Sequence, residues 1–205
     1  MEKRMPVVVI RQIGETDAIL RALQEYGIRC AEITFRTPCA EEALIYACKN
    51  YPQMLVGAGT VINGDQCRRA LAAGAKFIVS PGFSEEAAAV CREQNVAYYP
   101  GCVAPTEIMR ALEWGITTVK FFPAEVYGGL KGMKALSAPF PQVRFIPTGG
   151  VNAENMKEYL AFEKTAAVGG SFLVDEALKQ AAMSADSPAR GKEQPFAPTA
   201  GKGKE

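Results

Sequence analysis

Lys120 stands in the middle of Thr117-Thr118-Val119-Lys120-Phe121-Phe122-Pro123, a run that reads as a buried strand because β-branched and aromatic residues dominate it. An ammonium ion is costly in apolar surroundings, so desolvation there favours the neutral amine. A neutral amine adds to a ketone and forms a Schiff base. An edge-strand lysine that reaches solvent or meets a carboxylate would also fit this run. A second run supplies such a carboxylate. In Cys30-Ala31-Glu32-Ile33-Thr34-Phe35-Arg36-Thr37, strand alternation puts Glu32, Thr34 and Arg36 on one face and Ile33 and Phe35 on the other. Thr118, Lys120 and Phe122 share a face by the same rule. A structural Glu–Lys ion pair would use Glu32 and Lys120. It leaves Arg36 on the same face unexplained.

The chain has no histidine. That removes the usual general base, the Ser-His and Cys-His nucleophile pairs, and most catalytic zinc sites. Proton transfer falls to a carboxylate, a lysine, a tyrosine or water. No metal or organic cofactor is expected.

Glycine-rich turns form the other chemical signal. Val56-Gly57-Ala58-Gly59-Thr60 offers a tight turn and a hydroxyl, but it lacks the third glycine and downstream acid of a dinucleotide fingerprint. Pro147-Thr148-Gly149-Gly150 and Val168-Gly169-Gly170-Ser171 each follow a strand, and the second opens a helix. Bare backbone N–H groups and a helix N-terminus favour an anion. Two turns without a ligand are the plainer alternative. Their matching positions favour phosphate.

These residues need a frame. β-like runs begin near Pro6, Cys30, Met54, Lys76, Val96, Thr117, Val143 and Thr165, at intervals of 20 to 26 residues. Helix-like segments lie between them. Ile19, Ala22, Leu23 and Tyr26 follow helical spacing, as do Ala40, Ala43, Leu44 and Ala47. Caps are expected at Thr37-Pro38, at Asn63 with Gln66, and at Ser84. Eight strand–helix units predict an α/β fold of the (β/α)₈ barrel type, with a doubly wound open sheet as the competing architecture. A barrel places its site at the carboxyl ends of the strands and holds phosphate after strands seven and eight. It also brings Glu32 and Arg36 near Lys120.

Composition narrows the partners. The 205 residues are 48% hydrophobic and 22% charged, as expected of one globular domain with a sizeable core. A net charge of +1 gives no footprint for nucleic acid. The apolar run Pro6 to Ile10 is too short for a signal peptide or membrane span, so the cytoplasm is the expected compartment. The six cysteines form no CxxC pair and read mostly as small buried hydrophobes. Residues 1–183 read as the single barrel. Residues 184–205, almost without large apolar side chains, read as a flexible polar tail.

Seven segments together resemble the KDPG/KHG aldolase family, which acts on 2-keto-3-deoxy-6-phosphogluconate or 4-hydroxy-2-oxoglutarate. They are Glu32-Ile33-Thr34-Phe35-Arg36-Thr37, Val56-Gly57-Ala58-Gly59-Thr60, Val79-Ser80-Pro81-Gly82, Tyr99-Pro100-Gly101, Val119-Lys120-Phe121-Phe122-Pro123-Ala124, Phe145-Ile146-Pro147-Thr148-Gly149-Gly150 and Val168-Gly169-Gly170-Ser171. The resemblance runs from about residue 6 to about residue 175. It implies a class I aldolase on a (β/α)₈ barrel, usually a homotrimer, acting on a phosphorylated keto-sugar acid and releasing pyruvate and glyceraldehyde 3-phosphate. By the same resemblance, Lys120 forms the Schiff base and Glu32 moves protons. Arg36 and Thr60 hold the pyruvate carboxylate, Pro81 lines that site through its backbone, and Phe122 packs beside it. Thr148 meets the aldehyde-side hydroxyls, and Gly149, Gly150, Gly170 and Ser171 cradle the phosphate. Cleavage of 4-hydroxy-2-oxoglutarate, and an engineered or truncated barrel without turnover, are the competing functions. The chain departs from the family in lacking the helix usually placed before the first strand. It also carries Phe172 where a tryptophan is customary, and its first helix is about two residues short.

Overall fold

A computed structural model describes residues 3–185. Eight strands alternate with eight helices: β1 Arg4–Val8, α1 Glu15–Glu25, β2 Cys30–Thr34, α2 Ala40–Asn50, β3 Leu55–Gly59, α3 Gly64–Ala72, β4 Phe77–Val79, α4 Glu85–Glu93, β5 Ala97–Tyr99, α5 Pro105–Glu113, β6 Thr118–Phe121, α6 Gly129–Ser137, β7 Arg144–Pro147, α7 Met156–Ala161, β8 Val168–Gly170 and α8 Phe172–Ala185. All pairings are parallel. Six strands join in the order β5-β4-β3-β2-β1-β8, and β6 pairs with β7.

Short bridges close the ring between these two sheets. Thr148 meets Gly169 and Phe145 meets Thr165 on one side, and Gly101 meets Lys120 on the other. At that second seam the Lys120 N–H donates to the Pro100 carbonyl at 2.8 Å, and the Cys102 N–H donates to the Lys120 carbonyl at 2.8 Å. On its other flank Lys120 is in register with Ile146 of β7. Its backbone is therefore fixed from both sides. The fold is a (β/α)₈ barrel, not an open sheet.

Alternation builds two shells. Met5, Cys30, Phe77, Val79, Ile146 and Ala167 form an apolar cluster of their own, drawn from strands all around the ring. Outside the strands, one core packs β1 to β5 against α1 to α4 and α8, and a second packs β6 to β8 against α5 to α7. Full burial of one such Leu, Ile or Phe stabilises the fold by about 1.5–3 kcal/mol. Glu32 follows Cys30 by two residues on one face, so it stands one layer nearer the carboxyl ends of the strands.

Asn63 caps α3 by accepting from the Gln66 N–H at 2.9 Å, and Ser84 caps α4 by accepting from the Ala87 N–H at 3.2 Å. The Thr37 expectation is corrected. Helix α2 starts at Ala40 after Cys39, and the Thr37 hydroxyl instead donates to the Ile10 carbonyl at 2.6 Å, tying the end of β2 to the end of β1. Gln66 reaches back to the Ile62 N–H, one residue short of a reciprocal box. Strand β8 begins at Val168 rather than Thr165, and β1 at Arg4 rather than Pro6.

Cys30, Cys67, Cys91 and Cys102 are buried as small hydrophobes. The tail boundary also moves. Ser184 and Ala185 belong to α8, and the rest of the expected polar tail, 186–205, lies outside the described residues. No helix among the described residues is long and apolar enough to cross a membrane.

Candidate active site

Lys120 and Glu32 meet inside the ring. The Lys120 ammonium donates to Glu32 Oε1 at 3.3 Å, and their side chains are 3% and 1% exposed. Those exposures rule out a lysine that reaches solvent. Release of the proton leaves a buried amine that can add to a carbonyl.

Neighbouring strands make room for the acid. Glu32 faces Gly57 and Thr34 faces Gly59 across β2 and β3, and a side chain at Gly59 would collide with the Glu32 carboxylate. On the other side, the Phe122 ring lies 5.0 Å from Lys120 Nζ, centroid to nitrogen. An aromatic face at that range favours a cation and walls off water.

Phe122 leads from this pair into a cavity of about 200 Å³ at the carboxyl ends of β1, β6, β7 and β8. Arg36, Phe122, Thr148, Gly149, Gly150, Gly170 and Ser171 line it. Seven of the expected site residues thus converge on one opening. Gly149 and Gly150 have φ values of 88° and 85°, a left-handed pair that turns the backbone in a way glycine tolerates and other residues resist. Ser171 stands immediately before α8, and its carbonyl accepts from the Val174 N–H at 2.9 Å. The first N–H groups of a 14-residue helix therefore open beside the cavity.

Thr60 is absent from the cavity wall, but it reaches the site through Arg36, whose Nε donates to Thr60 Oγ1 at 2.9 Å. Thr60 has φ of 56°, costly for a β-branched residue and worth about 1–3 kcal/mol of local strain. Arg36 itself is paired with Thr60 rather than with the Lys120–Glu32 pair. Pro81 does not line the cavity either. It is exposed at the end of β4, and its carbonyl closes on Gly101, the residue that bridges to Lys120.

One residue escaped the sequence reading. Arg11 lines an adjoining cavity of about 360 Å³ together with Val7, Val9 and Ser171, all three of which also line the first. Its position just past β1, at the carboxyl end of the ring, was the signal that could have found it.

The site therefore brings together a buried lysine with a carboxylate partner, an arginine, two glycine turns and the N-terminus of α8. A family model described as KDPG and KHG aldolase matches residues 1–186. A curated relative, 2-dehydro-3-deoxy-phosphogluconate aldolase of Treponema pallidum (strain Nichols), is 46% identical over 170 residues, covering 83% of this chain and 81% of the relative. The crystal structure of KDPG aldolase from Legionella pneumophila, with pyruvate captured at low pH as a covalent carbinolamine intermediate, superposes with a TM-score of 0.83 at 40% identity, covering 89% of each chain. The crystal structure of the 2-keto-3-deoxy-6-phosphogluconate aldolase of Zymomonas mobilis ZM4 with 3-phosphoglycerate gives a TM-score of 0.83 at 37% identity, covering 88% of this chain and 89% of that one. By sequence and by fold, the chain belongs to the KDPG and KHG aldolase family.

Proposed function

We propose that this chain is a class I aldolase that cleaves 2-keto-3-deoxy-6-phosphogluconate to pyruvate and glyceraldehyde 3-phosphate. The observation that carries the reading is the buried Lys120–Glu32 pair at 3.3 Å, against the Phe122 ring that also lines the cavity bounded by Gly149, Gly150, Gly170 and Ser171. The covalent carbinolamine in the Legionella relative supports amine chemistry with pyruvate. The 3-phosphoglycerate in the Zymomonas relative supports a phosphorylated three-carbon fragment.

The Lys120 amine adds to the C2 ketone and expels water, leaving an iminium that acts as an electron sink. Glu32, directly or through water, takes the C4 hydroxyl proton as the C3–C4 bond breaks. The bonding electrons pass into the enamine, and the aldehyde fragment leaves. Glu32 returns the proton to C3, and water hydrolyses the iminium to free pyruvate and restore the amine. Phe122 shields the iminium, and Pro81 supports the seam through Gly101. Thr148 meets the aldehyde-side hydroxyls. Gly149, Gly150, Gly170 and Ser171 hold the phosphate, and Arg11 adds a second cation at that end. The active assembly is a homotrimer, a reading supported by the family resemblance.

Arg36, steadied by Thr60, binds the pyruvate carboxylate through its planar fork. Charge-assisted hydrogen bonds contribute about 1.5–3 kcal/mol, so Arg36→Ala weakens pyruvate binding by about 10- to 150-fold with the circular dichroism spectrum unchanged. Titration of borohydride-trapped enzyme against pyruvate concentration measures this, and an unchanged half-saturation point removes Arg36 from the role.

Substrate choice is tested at Ser171. Its hydroxyl donates to a phosphate oxygen, so Ser171→Ala lowers kcat/KM for 2-keto-3-deoxy-6-phosphogluconate by about 10- to 150-fold. The same change leaves 4-hydroxy-2-oxoglutarate, which has no phosphate, nearly untouched. A coupled lactate dehydrogenase assay on both substrates reads the difference. A wild-type preference for 4-hydroxy-2-oxoglutarate would overturn the choice of substrate.

A further inference from the structure

Two residues outside the cavity wall hold its glycine turn in shape. Glu125 lies on the loop after β6, and Tyr159 lies on α7. The Tyr159 hydroxyl donates to Glu125 Oε1. Tyr159 is 2% exposed within the core that packs α5 to α7 on the strands, so its ring has one place to be. Burial, followed by the neighbouring carboxylate, pushes the phenol well above its ordinary range and keeps it a donor.

Glu125 in turn supports the glycines. Its backbone N–H donates to the Gly149 carbonyl at 3.1 Å, and the preceding Ala124 N–H donates to the Thr148 carbonyl at 2.8 Å. Its stem lies against Gly150 so closely that a side chain at Gly150 would collide with it. On the opposite flank Asn155 Nδ2 donates to the Gly150 carbonyl at 3.0 Å. Room for the clamp depends on Gly129, where a Cβ would come within 2.7 Å of the Tyr159 oxygen. A carboxylate this near an anion cradle repels a phosphate unless it is turned away, and the tyrosine hydroxyl holds it toward α7.

We propose that Tyr159 and Glu125 are positioning residues that set the Gly149–Gly150 turn and thereby the preference for a substrate with a phosphate end. The inference rests on the reading of that turn as the phosphate cradle. Loss of the hydroxyl frees the Glu125 carboxylate to swing toward the cavity and loosens the floor beneath Gly150. The cost falls on binding of the phosphorylated substrate, not on the chemistry at Lys120.

Three variants, Tyr159→Phe, Glu125→Ala and Glu125→Gln, are assayed on both substrates. The lost hydrogen bond to the Glu125 carboxylate is passed on only in part to the glycine turn, so Tyr159→Phe raises KM for 2-keto-3-deoxy-6-phosphogluconate by about 3- to 10-fold at unchanged kcat. Glu125→Ala raises it comparably. Glu125→Gln keeps an acceptor and the packing, and its KM stays near wild type. Constants for 4-hydroxy-2-oxoglutarate stay within about twofold throughout, because a lost hydrogen bond at the phosphate end does not reach that substrate. Parallel losses on both substrates, or an unchanged KM for the phosphorylated one in Tyr159→Phe, overturn the inference. Failure of both Tyr159→Phe and Glu125→Ala to fold overturns it as well, because the pair then serves the fold. A wild-type enzyme that neither prefers the phosphorylated substrate nor is inhibited by inorganic phosphate contradicts the cradle itself and takes this inference with it. Wild-type preference with parallel losses in the variants contradicts the inference alone.

Discussion

Lys120→Met stops pyruvate release, with kcat reduced by at least about 10⁴-fold. Methionine keeps an unbranched stem and much of the volume but carries no amine, so no iminium forms and the C3–C4 electrons have no sink. The effect extends to stability. Glu32 is 1% exposed and its ionic partner is Lys120, so the substitution strands a buried carboxylate. Breaking one side of a buried pair costs about 3–5 kcal/mol, and the thermal midpoint falls accordingly. Adding Glu32→Gln to Lys120→Met removes the stranded charge and recovers much of that loss, while turnover stays absent. Thermal unfolding and the coupled pyruvate assay on the single and double variants separate the two effects. Measurable turnover by Lys120→Met would assign the amine elsewhere.

Glu32→Gln is the second large expectation. General acid–base work contributes about 10²–10⁴-fold, so kcat falls by that factor. Glutamine keeps the length and an acceptor oxygen for the Lys120 ammonium, so the fold persists. The defect is selective. Pyruvate still reaches Lys120 and still forms the adduct, but protons no longer move at C3. Solvent deuterium exchange into the pyruvate methyl group, followed by proton NMR, reports that step alone. Exchange at the wild-type rate in Glu32→Gln would hand the proton work to another group.

The strands and most helices were readable from periodicity because a barrel repeats one pattern and buries every strand between two apolar layers. Lys120 and Glu32 were readable for the opposite reason. They break that pattern, and an ionisable group in an apolar strand has few explanations. Seam geometry was not readable. The bridge between Gly101 and Lys120 depends on how two sheets curl toward each other, which no local spacing encodes. Thr60 shows a second limit. Its left-handed backbone is imposed by the turn that presents its hydroxyl to Arg36, against the preference of a β-branched residue. Thr37 shows a third. Its sequence context suits a helix cap, yet a carbonyl from a neighbouring strand captures the hydroxyl first. Arg11 and the Tyr159–Glu125 pair are tertiary in the same sense. Each gains its meaning from a residue far along the chain.

Borohydride trapping tests the assignment of the amine most directly. Folded enzyme is mixed with pyruvate, reduced with sodium borohydride, digested, and mapped by mass spectrometry. Reduction fixes the iminium as a secondary amine, so one pyruvate-derived mass appears on the peptide that contains Lys120, and Lys120→Met shows none. A pyruvate adduct on a different lysine, or no adduct in folded wild-type protein, would contradict Schiff-base chemistry at Lys120.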